Sequence, residues 1–174
     1  KAPVVPTLAA EDVLSFFSDS YNNVTVNTWS ADWDAADVAT VSLENNPALK
    51  YTNLSYAGIE FTTAPVDATQ MTHLHLDVWK ENPSSVFKLK LVDFGANGVY
   101  QGTVNDDVEH EVIYNTAGKP SLAGNQWVSV DIPLSEMTGL STRAHLAQMI
   151  ISRSGAGDTV WVDNIYLHNG ALVI

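Results

Sequence analysis

The chain contains no cysteine. That removes a disulfide framework, a thiolate metal site and a cysteine nucleophile together. Positive charge is scarce: 8 Lys and Arg stand against 20 Asp and Glu, a net charge of -12. Such a balance disfavours nucleic acid, anionic membranes and strongly anionic polymers as partners. No apolar run approaches the ~18 residues that a membrane-spanning helix requires. Helical periodicity is nearly missing, confined to short candidates over 7–13 and 134–138. A signal peptide is also absent, and the opening KAPVVPT reads as the end of a Pro-rich linker. The expected organisation is a linker remnant over 1–7 and one domain over 8–174, taken from a longer, secreted or cell-surface bacterial protein.

What remains is strand. Hydrophobic residues make up 45% of 174 positions, enough for a substantial core. Ten short segments carry strand character: VLSFFSDS (13–20), VATVSL (38–43), LKYTNL (49–54), AGIEFTT (57–63), HLHLDVW (73–79), FKLKLVDF (87–94), DVEHEVI (107–113), WVSVDIPL (127–134), LAQMIIS (146–152) and TVWVDNIYL (159–167). Turn residues separate them. This pattern predicts an all-β fold, an antiparallel β-sandwich or jelly roll of about ten strands. Period two assigns their faces. Leu74, Leu76 and Val78 alternate with His73, His75, Asp77 and Trp79, and Phe87, Leu89 and Leu91 with Lys88 and Lys90. Val128, Val130 and Ile132 alternate likewise with Trp127, Ser129 and Asp131. Each such strand is expected to keep one solvated face.

Aromatic residues in polar company point to a binding site. The stretch NTWSADWDAAD (27–37) holds two of the five tryptophans without an apolar run around them. Trp29 and Trp33 either plug the end of a core or are displayed. A pyranose ring has a C–H face that stacks on an aromatic plane and a rim of hydroxyls that wants carboxylates and amides. Trp29, Trp33, Trp79 and Tyr100 fit the first need. The irregular segment LVDFGANGVYQGTVNDDVEHE (91–111) supplies Asp93, Asn97, Glu109 and His110 for the second, and loops of this length are often functional. The stretch 27–37 is therefore read as a recognition loop. A solvated hairpin with Lys88 and Lys90 paired to Glu109 and Glu111 is the alternative.

Three other readings of these residues stay open. Glu109 and Glu111 lie two apart on a strand, at roughly 7 Å, within the range of glycosidase acid/base pairs, with His110 between them. His73 and His75 could be a metal pair of the kind cupins use, although the spacing of the upstream Gly and downstream Glu is wrong. Exposed tryptophans could instead dock another protein domain. Calcium has firmer support. If the terminal strands pair, Ser18 or Asp19 and Asp163 could meet around one oxygen-liganded ion.

These termini, with YTNLSYAGIEF (51–61), LDVW (76–79), LVDFGANGVY (91–100), DDVEHE (106–111) and VDNIYLH (162–168), resemble non-catalytic carbohydrate-binding modules of bacterial polysaccharide-degrading enzymes, above all β-glucanases of marine and gut Bacteroidetes. The resemblance implies a β-sandwich of galactose-binding-like type, a structural Ca2+ near the paired terminal strands, and no catalysis. Asp163 matches the calcium aspartate such modules keep on their last strand. Many carry Glu on the first strand where this chain has Ser18-Asp19. The expectation is thus a monomeric, calcium-stabilised module that holds a covalently linked catalytic domain near its polysaccharide. Acidity favours a neutral β-glucan such as a β-1,3-glucan, then agar-like galactans, with alginate last.

Overall fold

The computed structural model describes residues 1–102, 104–155 and 158–170. Nine strands form among them: β1 (Val13–Phe17), β2 (Ala35–Leu43), β3 (Asn46–Glu60), β4 (His73–Lys80), β5 (Val86–Asp93), β6 (Val108–Ile113), β7 (Val128–Pro133), β8 (Leu146–Ser154) and β9 (Asp158–His168). All the pairings between these strands are antiparallel. The two short helices expected from sequence are single 3-10 turns, Ala10–Asp12 and Leu134–Glu136. Neither holds enough residues to sustain an apolar face of its own.

The count falls from ten to nine because β3 is one strand where two were expected. Asn53 takes a left-handed φ of 52°, and the register against β9 slips between Tyr51 and Leu54. Asn adopts that conformation more cheaply than most residues, so the chain bulges there and continues. The slip folds the sheet over. Up to Leu54 β3 pairs with β9, and from Tyr56 onward with β8. Strands β8 and β9 thus follow one another along the same edge of β3, each leading into its own layer. One layer runs β6-β5-β8-β3. The other runs β7-β4-β9, with β1 on β9 and β2 on the free edge of β3.

The core lies between the layers. Leu74, Leu76 and Val78 meet Phe87, Leu89 and Leu91, joined by Ile132, Ile151, Val162 and Leu167, none more than 1% exposed. Each such side chain contributes roughly 1.5–3 kcal/mol by leaving water. Period two therefore identified the inward faces correctly. The opposite face of β4 is less wet than expected, with Asp77 and Tyr166 both about 4% exposed. The chain after β1 folds across it. Tyr21 packs edge-on against Tyr166 at 5.4 Å, and Ser18 Oγ donates to Asn164 Oδ1 at 2.8 Å. The N-terminal residues also touch the domain, since Trp127 Nε1 donates to the Lys1 carbonyl at 2.7 Å.

Candidate functional site

The long connection between β1 and β2 runs back along the end of β3. Asn27 N donates to Glu60 O at 2.8 Å and Ala31 N to Gly58 O at 2.9 Å. Asp34 closes the turn, accepting from Gly58 N at 3.0 Å and from Ser30 Oγ. This anchoring splits the two tryptophans of 27–37. Trp29 turns inward, packs edge-on against Phe17 at 5.6 Å and lies half-buried against the core. Its carbonyl accepts from Tyr51 Oη. Trp29 is a plug, which corrects the reading of the whole stretch as a recognition loop. Trp33 is displayed and 45% exposed. The benzo edge of its indole rests on Gly58, where any Cβ would collide with the ring. Tyr56, two residues earlier on the same face of β3, lies nearly parallel to it at 6.3 Å.

Across the outer face of β6-β5-β8-β3, Trp33 forms one wall of a groove of about 290 Å3. Glu60 of β3 and Gln148 and Ile150 of β8 line its floor, and Phe94 and Tyr100 form the far wall. Tyr100 is 53% exposed and leans on the buried Phe94 at 5.6 Å. Beyond it a second depression of about 140 Å3 is lined by Gln101, Asn105, Asp107 and Glu109. Tyr100 thus stands as a ridge between a largely aromatic groove and a polar hollow on one face. The groove offers aromatic planes at its sides and amide and carboxylate groups beneath, with a Gln148–Glu60 hydrogen bond on the floor.

The other expected contact residues scatter. Glu109 faces outward beside Tyr100 but is paired with Lys90 at 2.8 Å. That hydrogen bond holds the Lys90 ammonium above its ordinary pKa, against its partial burial. The cross-strand Lys–Glu pairing weighed from sequence is therefore present between these two. Asp93 is fully buried, and it accepts from the backbone of Gly95 and His145. It shapes the loop and has no surface to offer. Asn97 is exposed, but its amide holds Val104 O at 2.7 Å and so closes the loop on itself. His110 points away from the groove and accepts from Gly139 N. Trp79 lies on the outer face of the other layer, beside Trp127 at 6.0 Å and near Trp161. Tyr56, Glu60, Phe94, Gln148 and Ile150 were missed. A signal existed in YAGIEF, where Tyr56, Gly58 and Glu60 alternate with buried Ala57, Ile59 and Phe61.

Of the residues expected to hold calcium, Ser18 bonds Asn164 beside the pairing of β1 and β9, and Asp19 reaches Asp163 through its charge. Asp163 is completely buried. Burial pushes its carboxyl up to about 6, against hydrogen bonds from Asn46 and from Asn164 N, while the charges of Asp19 and Asp77 push it further up. Asn164, at a left-handed φ of 49°, bridges Ser18 to Asp77. A buried carboxylate facing two others, with amide and hydroxyl oxygens around it, is a donor set of hard oxygen character.

No family model and no curated protein matches this sequence. The likeness is in the fold: a curled antiparallel β-sandwich of the kind seen in carbohydrate-binding modules. A family 30 module from a cellulosomal cellulase of Clostridium thermocellum is 15% identical with a TM-score of 0.66, covering 91% of this chain and 98% of that one. A family 11 module of Clostridium thermocellum, solved with a β-1,3-1,4-mixed-linked tetrasaccharide, is 14% identical with a TM-score of 0.58, covering 91% and 96%. An exo-β-agarase is 16% identical with a TM-score of 0.57, over 90% of this chain and 25% of that one.

Proposed function

We propose that this chain is a non-catalytic carbohydrate-binding module that holds a neutral β-glucan on the outer face of β6-β5-β8-β3. The observation that carries this reading is the open groove between Trp33 and Tyr100. Its exposed ring faces suit the C–H face of a pyranose, and Glu60 and Gln148 suit its hydroxyls. Asp107 and Glu109, across the Tyr100 ridge, would take the next sugar along the chain. Trp33, Tyr100 and Glu109 are the expected contacts that remain in this reading, with Tyr56, Glu60 and Gln148 added. The mixed-linkage ligand of the family 11 structure supports a glucan, and the net charge of -12 disfavours acidic polymers.

Binding of this kind keeps a linked catalytic domain at its polymer by raising the local concentration, without altering the chemistry. Glu109 is a poor acid/base candidate because its carboxyl is engaged by Lys90 at 2.8 Å. A structural Ca2+ at Asp163, with Ser18 and Asp19 nearby, belongs to the same proposal, its role being to neutralise the buried charge at the junction of β1 and β9.

Affinity electrophoresis in gels cast with laminarin, mixed-linkage β-glucan, agarose and alginate tests the reading. Retardation in a β-glucan gel that Trp33→Ala abolishes is the expected result. Retardation in agarose alone would move the target to a galactan. Equal migration in every gel, or release of reducing ends by catalytic amounts of protein, would overturn the proposal.

A further inference from the structure

The outer face of the second layer carries a polar cluster far from the groove residues in the topology. His73 of β4 and His168 of β9 are register partners, and their rings stack with centroids 4.9 Å apart and planes 8° from parallel. Asp131 of β7 accepts from His168 Nε2 at 2.7 Å. With that proton directed at a carboxylate, His168 Nδ1 is left as a bare lone pair. Nδ1 is buried without a hydrogen-bond partner, on a residue only 6% exposed. Buried polar atoms are rarely left so, and each exception calls for a cause.

The free lone pair has a direction. A Cβ built on Gly170 would stand 3.2 Å from Nδ1 of His168 and 3.2 Å from Nδ1 of His73. The two nitrogens therefore converge on a space that glycine leaves open. Thr72 Oγ1 lies 2.8 Å from His73 Nδ1 but can turn its proton to His168 O at 3.3 Å. One donor atom each from His73, Asp131 and His168 already lies within 4.8 Å of the others. Metal–nitrogen bonds of about 2.0–2.1 Å place donors roughly 3–4 Å apart. Asp131, on the Nε2 side of His168, stands behind the ring and fixes its tautomer, so the ion falls to the two Nδ1 atoms, which a small rotation of half-buried His73 brings together.

We propose that His73 and His168 hold, through Nδ1, a divalent transition-metal ion of the zinc, nickel and copper class, with Asp131 orienting His168 from behind. Two imidazoles, one of them backed by a carboxylate, suit such ions and not calcium. The pair is not the His73/His75 one that the sequence suggests. Both nitrogens of His75 face carboxylates, Nε2 on Asp77 at 3.1 Å and Nδ1 on Asp131 at 3.4 Å. The true partner of His73 comes from the far end of the chain, where no spacing motif could show it. The site is independent of the glycan reading.

The test is calorimetric titration of the chelator-stripped full chain with Zn2+, followed by NMR of the histidine ring nitrogens. Saturation at one equivalent, undiminished by excess Ca2+, with Nδ1 signals of His73 and His168 shifted, is expected. His73→Ala should weaken binding at least tenfold. That side chain is only half-buried, so the variant should keep its fold, which circular dichroism checks. No saturable binding, unchanged affinity in His73→Ala, or shifts confined to His110 and His145 would each overturn the site.

Discussion

Gly58 and Trp33 work as a pair. The indole has a seat because β3 presents a residue without a side chain where the ring edge comes down. Gly58→Ala should therefore tilt the ring and weaken glucan binding, as Trp33→Ala removes it. For Trp33→Ala we expect a ten- to hundredfold loss, about 1.4–2.8 kcal/mol, with the melting temperature almost unchanged. Trp29→Ala should do the reverse. Loss of a plug packed on Phe17 should cost roughly 1–3 kcal/mol of stability, read from urea unfolding, and leave affinity largely intact. His75 supplies a pH test in chelator. Burial opposes its charge, but hydrogen bonds donated to Asp131 and Asp77 outweigh this and push it up to about 9. A folded pKa above the unfolded value of 6.5 gives stability that is complete below pH 6.5 and lost as pH rises through 9. His75→Gln should flatten that decline in melting temperature between pH 6.5 and 9.

Among the elements, the β4–β5 connection rests on a single buried cation. Lys80 is 1% exposed, and its Nζ donates to the carbonyls of Asn82, Pro83 and Ser85. Lys80→Met keeps the stem and orphans three acceptors, so we expect a loss of about 2–3 kcal/mol in denaturant unfolding. The strands themselves were legible in the sequence. Leu74, Leu76 and Val78, or Phe87, Leu89 and Leu91, reveal their buried face by alternation alone. β3 was not legible as one strand, because the Asn53 bulge resets the alternation that marks continuity. The site was half legible. Trp33, Tyr100 and Glu109 stand out as aromatic or acidic residues in polar company, but so do Trp29, half-buried against the core, and Asp93, which is buried. What separates them is long-range: Trp29 meets Phe17 and Asp93 meets His145, contacts that no local window contains. Gln148 and Ile150 belong to the groove through register with β3, which is equally invisible to spacing.

At the scale of the molecule, the net charge of -12 is uneven in its consequences. Most carboxylates are solvated, whereas Asp163 is sealed in beside Asp77 with Asp19 nearby. If calcium neutralises this cluster, EDTA should lower the melting temperature and added Ca2+ restore it. In Asp163→Asn the chelator should have no effect. A melting temperature indifferent to EDTA in the unmodified protein would remove the ion. No described helix is long and apolar enough to cross a membrane.

The pairing of Val13 with His168 has a mechanical side. The chain enters β1 and leaves β9 at the same end of the molecule. Tension applied through flanking segments would load the β1–β9 hydrogen bonds one after another, peeling them as a zip opens instead of shearing them together. The first stretch to detach would carry Phe16 out of the core and Ser18 away from Asn164. Pulled by its ends, this sandwich should yield at low force from its terminal strand, while the groove on the opposite layer is still intact.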